Sequence, residues 1–385
     1  MDPFPDKVTS GMRSALCLFF FVAAAVAACV APYKPPRPQE PEPVELPPPR
    51  SSPSGATLQD QVSGTTQRLQ AVSVVDPNIV WASGTGGTFA VTLNGGQSWR
   101  TGVVAGADSL EFRDVEAFDG HVAYLLSAGH GTQSRIYKTE DGGVNWQVQF
   151  VNRDSLAFYD CFAFWDPGNG IAFSDNVRGV FPILYTSNGG ADWDFLSDPA
   201  NPAASPVPAA TAGEGAFAAS GTCLTTIGKE AALIATGAGT EARILSTTDR
   251  GQTWRDVTTP IVQGTPTTGH TSVAFRNERN GIAVGGDISE ASGEADNVVR
   301  TADGGLTWTL GGRPTFTGAS FGAAYIPGAT PTVVAVGPKG ASVSADDGRT
   351  WQPLDTLPYW STGFASRAAG WMVGPGGRIT KVSFP

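Results

Sequence analysis

Six near-copies of one eight-residue motif give this sequence a regular series of carboxylate and amide side chains. The copies read TLNGGQSW, TEDGGVNW, TSNGGADW, TTDRGQTW, TADGGLTW and SADDGRTW. The third position is an acid or an amide in every copy: Asn94, Asp141, Asn188, Asp249, Asp303 and Asp346. Such side chains can act as general acids or metal ligands, yet a short polar side chain near a glycine also bonds to the backbone of its own turn. Each copy has the Ser or Thr and the Gly that such a turn needs, so the structural turn is favoured.

The last position of every copy is a tryptophan: Trp99, Trp146, Trp193, Trp254, Trp308 and Trp351. A tryptophan that starts the strand after a turn can bury its ring between neighbouring sheets, which contributes about 2 to 3 kcal/mol. The pattern S/T-x-D-x-G-x-x-W is the Asp box. Six regular copies indicate a repeat fold in which each box fastens one repeat.

The spacing of the motif predicts an all-β, seven-bladed β-propeller over residues 61–385. Successive copies start 43 to 61 residues apart, which suits one four-stranded blade per copy. SVAF, GIAVGG and NVVRT precede the fifth copy and supply the first three strands of its blade. The C-terminal stretches STGFAS, GWMVG and RITKVSF offer three strands and no box. We therefore expect an N-terminal strand from before Val72 to complete a seventh blade and close the ring.

The face opposite the Asp boxes is where we expect a ligand. Residues that open the innermost strands should gather there around the central channel, together with loops that join the second and third strands. The candidates for this partner-binding rim are Arg113, Asp114, Tyr159, Asp160, Asp175, Arg178, Glu214, His270 and Trp360. Side chains of both charges on one rim can bind a polar partner, but solvated loop charges have the same pattern, and both interpretations stay open.

The N-terminal residues have the features of an export signal. Lys7 and Arg13 come before the apolar run ALCLFFFVAAAVAA, which is too short to span a bilayer but suits a secretory signal. The run ends in VAAC, which is similar to a lipobox. Residues 1–28 are therefore predicted to be a lipoprotein-type signal peptide, and Cys29 the lipidated N-terminus. A plain signal cut near Ala28 is the alternative.

A proline-rich segment over residues 29–60 separates the signal from the propeller. It has ten prolines between Pro32 and Pro53, so we interpret it as a disordered, extended tether. The expected location is the bacterial cell envelope, on the periplasmic side and held by lipid. Val30 follows the cysteine where inner-membrane lipoproteins often have aspartate, which favours the outer membrane.

Two further cysteines, Cys161 and Cys223, lie at matching places on the innermost strands of consecutive blades. An exported chain with two such cysteines can form a disulfide, although two buried free thiols are the alternative. The three histidines form no pairing signature with a cysteine, and no metal site is predicted.

Composition argues against several classes of partner. The net charge is −10, and no run of Lys or Arg is present to neutralise a phosphate backbone, so nucleic acid is not an expected ligand. No G-x-G-x-x-G follows a strand, and no cofactor is expected. We expect a monomer with a protein partner.

Taken together, these motifs resemble the bacterial Asp-box (BNR-like) propellers related to photosystem II stability and assembly factors. The stretches DCFAFWDPGNGIAFSDNVRGVFPILYTSNGGADW and GEGAFAASGTCL carry the resemblance most clearly, and it covers about residues 65 to 385. The resemblance implies a noncatalytic, seven-bladed scaffold that helps exported or membrane proteins assemble.

Glycoside hydrolases, sialidase-like or acting on neutral glycans, are the alternative. Sialidases have an FRIP-like stretch and three arginines that clamp the substrate carboxylate. This sequence has no FRIP, and only Arg113 and Arg178 are sensible rim arginines. A neutral-glycan hydrolase would need two rim carboxylates about 5 to 9.5 Å apart. We expect no two of Asp114, Asp160, Asp175 and Glu214 to meet that geometry around an open cleft.

Overall fold

The computed structural model describes residues 44–290, 292–328 and 331–385, and they form a seven-bladed β-propeller. The predicted signal peptide, Cys29 and the first part of the predicted tether lie outside these residues. Each blade is one antiparallel sheet, and the innermost strand of each blade contacts those of its two neighbours, so the ring is closed. Within the described ranges, no helix is long and apolar enough to cross a membrane.

The strands are numbered β1 to β29 in chain order, and six blades use four consecutive strands each. Blade 1 contains β3 Leu69–Val74, β4 Val80–Gly84, β5 Thr88–Thr92 and β6 Arg100–Val103. Blade 2 contains β7 Phe112–Ala117, β8 Ala123–Ser127, β9 Arg135–Thr139 and β10 Gln147–Val151. Blade 3 contains β11 Tyr159–Asp166, β12 Asn169–Ser174, β13 Ile183–Thr186 and β14 Asp194–Ser197.

The second half of the ring follows the same plan. Blade 4 contains β15 Leu224–Ile227, β16 Ala231–Ala235, β17 Arg243–Thr247 and β18 Arg255–Thr258. Blade 5 contains β19 Thr268–Phe275, β20 Gly281–Asp287, β21 Val298–Thr301 and β22 Thr309–Leu310. Blade 6 contains β23 Gly322–Tyr325, β24 Val333–Gly337, β25 Gly340–Ser344 and β26 Gln352–Asp355. Short 3-10 turns occur at Gly131–Gln133, Pro202–Ala204 and Pro375–Gly377.

Blade 7 combines the first and the last strands of the described residues, as the sequence predicts. Its inner strands are β27 Ser361–Ser366, β28 Ala369–Val373 and β29 Ile379–Ser383. The N-terminal strands β2 Thr57–Gln61 and β1 Arg50–Ser51 add to the outer edge of β29. The sheet therefore starts before residue 61, inside the segment that the sequence analysis assigns to the tether. The reason is that Leu58 is buried between blades 6 and 7, which orders the chain around it.

The six motif copies form one hydrogen-bonded turn between the third and fourth strands of blades 1 to 6. In every copy the first hydroxyl donates to the third side chain at 2.7–3.0 Å. The backbone N–H of the fifth residue donates to that hydroxyl at 2.8–2.9 Å. The seventh N–H donates to the third side chain at 2.9–3.0 Å. Although burial opposes it, bonds from Thr307 and Thr301 lower the pKa of Asp303 to about 2, so this carboxylate is no proton donor near neutrality.

The tryptophans of the motif pack between consecutive blades. Trp146 contacts Trp81 and Phe89 of the preceding blade, with ring centroids 6.1 and 5.2 Å apart. The other five motif tryptophans belong to or pack against apolar clusters that each span two blades. The interface between blades 6 and 7 has no motif tryptophan, and there Leu58 from the N-terminal strand and the buried Tyr359 take part in the cluster.

Gln61 is the residue that ties the closing strand to both sides of the ring. Its Oε1 accepts the indole N–H of Trp371 in blade 7 at 3.1 Å and that of Trp99 in blade 1 at 2.9 Å. Eleven residues earlier along the chain, Arg50 binds Asp355 of blade 6 at 3.2 Å. The N-terminal segment thus contacts three consecutive blades.

A disulfide joins Cys161 on β11 to Cys223, one residue before β15, with a Cα–Cα distance of 6.0 Å. Both cysteines are buried. The bridge closes a loop with a sequence separation of 62, for which chain entropy gives about 4 kcal/mol of stabilisation. It links the innermost strands of blades 3 and 4.

Replacement of Gln61 by leucine is expected to lower the free energy of unfolding by roughly 2 to 4 kcal/mol, because two buried indole N–H groups lose their acceptor. Urea unfolding followed by tryptophan fluorescence measures the change. Gln59→Leu on the same strand is the control, because Gln59 is only partly buried and contacts no tryptophan. Equal losses in the two variants would show that Gln61 does not act through the tryptophans.

Candidate functional site

An open depression lies at the mouth of the central channel, on the face opposite the motif turns. We call it the bowl. It has a volume of about 440 Å³. Its wall includes four of the rim residues predicted from sequence: Arg113, Asp160, Asp175 and Trp360.

The floor of the bowl is made by residues 215–222, which we call the plug. This segment belongs to the long connection between blades 3 and 4, and it crosses the channel to the far side of the ring. Ser220 donates to the carbonyl of Phe321 at 2.7 Å and accepts from Ser361 at 3.2 Å, so it contacts the entrances of blades 6 and 7. Arg113 of blade 2 donates to the carbonyl of Ala218 at 3.4 Å. The plug therefore lies across this end of the channel and is held by blades 2, 6 and 7.

Both ends of the plug are fastened. Immediately before it, the Glu214 carboxylate receives two bonds from the Arg243 guanidinium, at 2.6 and 2.9 Å. Thr236 and Thr211 supply further hydrogen bonds to the same carboxylate. Immediately after the plug comes Cys223, held by the disulfide. Removal of either partner from a buried, bidentate ion pair strongly destabilises a protein. The Glu214–Arg243 pair and the disulfide therefore fix the two ends of the plug.

One side of the bowl combines two arginines with an aromatic pair. Glu111 accepts from Arg113 at 2.8 Å and lies 3.6 Å from Arg68. The Arg68 guanidinium stacks over Trp360 at 5.3 Å, and Phe321 packs edge-on against the same ring at 5.3 Å. About a third of each arginine side chain is exposed, 37% for Arg68 and 30% for Arg113, so each can still bind an acceptor from outside.

The other side carries two carboxyl groups in hydrogen-bonding contact. Asp160 accepts the backbone N–H of Asp175 at 3.1 Å, and Asp175 accepts the N–H of Ala216 in the plug at 2.8 Å. Burial, followed by the nearby charge of Asp175, raises the pKa of Asp160 well above its usual value. Burial also raises the pKa of Asp175, to about 6. Both carboxyl groups therefore hold a proton more readily than an exposed aspartate does.

Five predicted rim residues are buried, at most 5% exposed: Asp114, Tyr159, Asp160, Glu214 and His270. Of these, only Asp160 lines the bowl. Asp114 accepts the N–H of Phe162 at 2.9 Å and lies beneath the plug, while Glu214 holds the plug through Arg243. His270 bonds to Thr259 and to the Thr236 carbonyl, both at 2.9 Å, and its burial lowers its pKa to about 4. Asp114, Glu214 and His270 therefore support the rim from within the fold.

The ninth rim candidate, Arg178, lies in a different cavity between blades 2 and 3. Sequence reasoning also missed several residues that line the bowl, among them Arg68, Phe217 and Ile288. The 61-residue step between the third and fourth motif copies was the available signal for the plug, because it is the longest step in the chain. No comparable signal pointed to Arg68, which enters from the closing segment.

Within the described residues, no group of three or more His, Cys, Asp or Glu side chains could hold a metal ion. The carboxyl groups of Asp160 and Asp175 are in contact, whereas glycosidases hold two carboxyl groups at least about 5 Å apart around the scissile bond. Asp114 and Glu214 are buried with protein partners. The bowl therefore offers ion-pairing, aromatic and apolar contacts.

Solved structures share this fold at low sequence identity. A structure described as "YCF48 bound to D1 peptide" has a TM-score of 0.59 and 17% identity over 85% of this chain and 97% of that one. YCF48 from Cyanidioschyzon merolae gives a TM-score of 0.60 and 16% identity, with 85% and 98% covered. The WD40 propeller domain of Doa1 gives 0.53 and 13%, with 85% and 97% covered. No protein-family profile and no curated protein sequence matches the chain.

The plug requires glycine at position 221. Gly221 has a φ of +77°, and a β-carbon there would collide with the Asp114 carboxylate. Gly221→Ala is expected to cost roughly 2 to 4 kcal/mol, from left-handed strain plus overpacking. Gly106→Ala is the matched control, because Gly106 has a φ of +72° and a β-carbon there would have no atom within 4 Å. This variant should lose only about 1 kcal/mol of unfolding free energy, from the left-handed strain alone. Equal costs in chemical denaturation would mean that the plug can move away from Asp114.

Asp160→Asn tests the raised pKa of this carboxyl group. The native state binds protons on Asp160 and Asp175 more tightly than the unfolded chain does, so their contribution to folding is fully present below a pH of about 4. That contribution is lost as the pH rises through the raised native pKa values, including the value of about 6 for Asp175. Asparagine imitates the protonated acid at every pH. The variant should match the wild type near pH 4 and become more stable than it by pH 8, as measured by urea unfolding. A difference that does not change with pH would contradict the raised pKa.

Proposed function

We propose that this chain is a noncatalytic, exported scaffold or assembly factor that binds a partner protein through the bowl. The observation that carries the proposal is the lining of the bowl. The plug forms its floor, its two carboxyl groups are in contact rather than separated, and two partly exposed arginines lie beside Trp360 and Phe321. Arginine and large aromatic residues are the side chains that most often dominate protein–protein binding energy.

The size of the bowl supports a protein ligand rather than a small molecule bound alone. A volume of about 440 Å³ accommodates one or two side chains of a partner. The surrounding rim, built from the loops of all seven blades, can supply the remainder of an interface, which typically buries about 800 Å² per partner. That a protein of this fold has been solved with a bound peptide, YCF48 with a D1 peptide, is consistent with this mode of binding.

We also propose that the mature chain is a lipoprotein of the bacterial envelope. The VAAC sequence before the proline-rich segment supports this, with Cys29 as the acylated N-terminus and the propeller held away from the membrane. The first described residue, Val44, donates to the carbonyl of Gln97 in a motif turn. The chain therefore joins the propeller on the face opposite the bowl, which leaves the bowl free for a partner.

A photo-crosslinking amino acid in place of Ile288 tests the binding site. Ile288 lines the bowl and is 40% exposed, so its replacement leaves the core intact. Irradiation of native envelopes should give a defined partner adduct, and Arg113→Ala or Trp360→Ala should reduce its yield at least about fivefold. The same crosslinker at Leu306, which is 51% exposed on a motif turn, is the control. An equal yield from the crosslinker at Leu306, or a yield that neither substitution lowers, would contradict partner binding at the bowl.

Mass spectrometry of the purified mature protein tests the anchor. Cys29 should be the N-terminal residue and carry acyl chains, and the protein should partition into detergent. Cys29→Ser should abolish the acylation and leave the chain unprocessed or soluble. An unmodified N-terminus C-terminal to Cys29 would rule out the lipid anchor while leaving the bowl proposal intact.

A further inference from the structure

A second cavity, which we call the slot, lies between the outer parts of blades 2 and 3. It has a volume of about 450 Å³, and its apolar lining includes Phe150, Ala157, Pro182, Phe195 and Pro199. Phe150 packs edge-on against the buried Tyr159 with ring centroids 5.3 Å apart, which gives the slot a rigid aromatic base. Phe195 is 50% exposed although it is a large apolar side chain. The slot is thus a preformed apolar cavity with one aromatic wall open to solvent.

Arg178, which also lines the slot, has an unfavourable backbone conformation. It is one of the two central residues of a tight turn between Val177 and Val180, and its φ is +54°. Such turns favour glycine, asparagine or aspartate, and a longer side chain costs about 1 kcal/mol there. Backbone strain of this kind is found most often at functional sites.

The other two strained charged residues have contacts that offset their strain. Asp347, with a φ of +57°, binds Arg276 through both oxygens at 2.8 and 3.0 Å. Arg250, also at +57°, donates to the carbonyl of Lys229 at 2.7 Å. Among the described residues, Arg178 makes no hydrogen bond and no ion pair, and neither does Arg153 beside it in the slot. Two exposed guanidinium groups at an apolar cavity are therefore left to pair with an outside anion.

The aspartates of the slot already have partners. Asp154 accepts the backbone N–H of Leu156 at 2.9 Å, and Asp198 accepts that of Ala200 at 2.8 Å. Both carboxylates cap their own turns, and neither pairs with Arg153 or Arg178. Among the charged side chains that line the slot, the two arginines are therefore the ones without a hydrogen-bond partner in the described chain.

We propose that the slot binds an aromatic side chain of a partner protein that stands next to an acidic residue. The ring would fill the cavity against Phe150 and Phe195, and the acidic group would bind Arg178 and Arg153. This inference rests on the proposed scaffold function and adds a second contact surface, on the side of the ring, to the bowl. A short extended peptide is sufficient as ligand, because an aromatic anchor and one charge-assisted pair can both come from adjacent residues.

A fluorescein-labelled, end-capped hexapeptide with phenylalanine next to glutamate is the probe, and fluorescence polarisation measures its binding to the folded propeller. Replacement of the glutamate by lysine, or of the phenylalanine by serine, should each weaken binding at least about fivefold. Arg178→Gly should weaken binding by a similar factor and raise the melting temperature, because glycine relieves the left-handed strain. Weaker binding together with a higher melting temperature would show that Arg178 contacts the ligand and does not stabilise the fold.

Phe195→Ser removes the open wall of the slot, and Leu306→Ser is its matched control on a motif turn of blade 5, with 51% exposure against 50% for Phe195. Only Phe195→Ser should weaken the peptide. Equal binding of the lysine peptide, equal effects of the two serine variants, or no saturable binding below about 1 mM overturns the proposal. Saturable binding of a labelled fatty acid in place of the peptide would make the slot a lipid site and would also overturn the proposal.

If the peptide does not bind while the Ile288 crosslink still forms, only the slot proposal is wrong. If the crosslink fails while the peptide binds, the bowl proposal falls.

Discussion

Closure of the ring is the constraint on which the rest of this structure depends. A propeller is a row of sheets, and the row holds its curvature only if the last sheet is bonded to the first. Here the bond is the N-terminal strand β2, with Gln61 accepting the indole N–H groups of Trp371 and Trp99 at once. Each acceptor contact alone is worth about 1 kcal/mol, but the loss of both would leave two buried donors unpaired. The inner strands, and with them the bowl, keep their positions because the two ends of the chain are held in one sheet.

The bowl follows from closure together with one long connection. Seven inner strands leave a channel between them, and residues 215–222 close one mouth of it. Their fastening by the Glu214–Arg243 pair on one side and the Cys161–Cys223 disulfide on the other converts a flexible connection into a floor. The Asp114 carboxylate beneath the floor is thereby removed from solvent, while Arg113 and Trp360 line the bowl above it.

The fold was predictable because its signals are local and repeated. A turn that satisfies its own hydrogen bonds within eight residues can be recognised without knowing its surroundings, and six copies give the number and order of blades. The rim was only partly predictable. Whether Asp114 faces a ligand or a floor depends on Gly221, more than 100 residues away, and the place of Arg68 depends on how the closing segment enters the ring. Gln61 belongs to no recognisable sequence motif. Its role becomes visible only in the folded ring, where the indole N–H groups of Trp371 and Trp99 both donate to it.

Backbone strain gives a physical way to separate structural residues from residues kept for a ligand. The fourth position of the motif is left-handed in all six copies, and four of the six copies use glycine there. The two exceptions, Arg250 and Asp347, recover the cost through hydrogen bonds to neighbouring residues. Arg178 has the same cost in an ordinary loop turn, where glycine would serve better, and has no such bond within the described chain. Backbone strain that no contact within the fold offsets suggests that the side chain binds something outside the fold. The apolar slot that Arg178 lines is the site where such a ligand would bind.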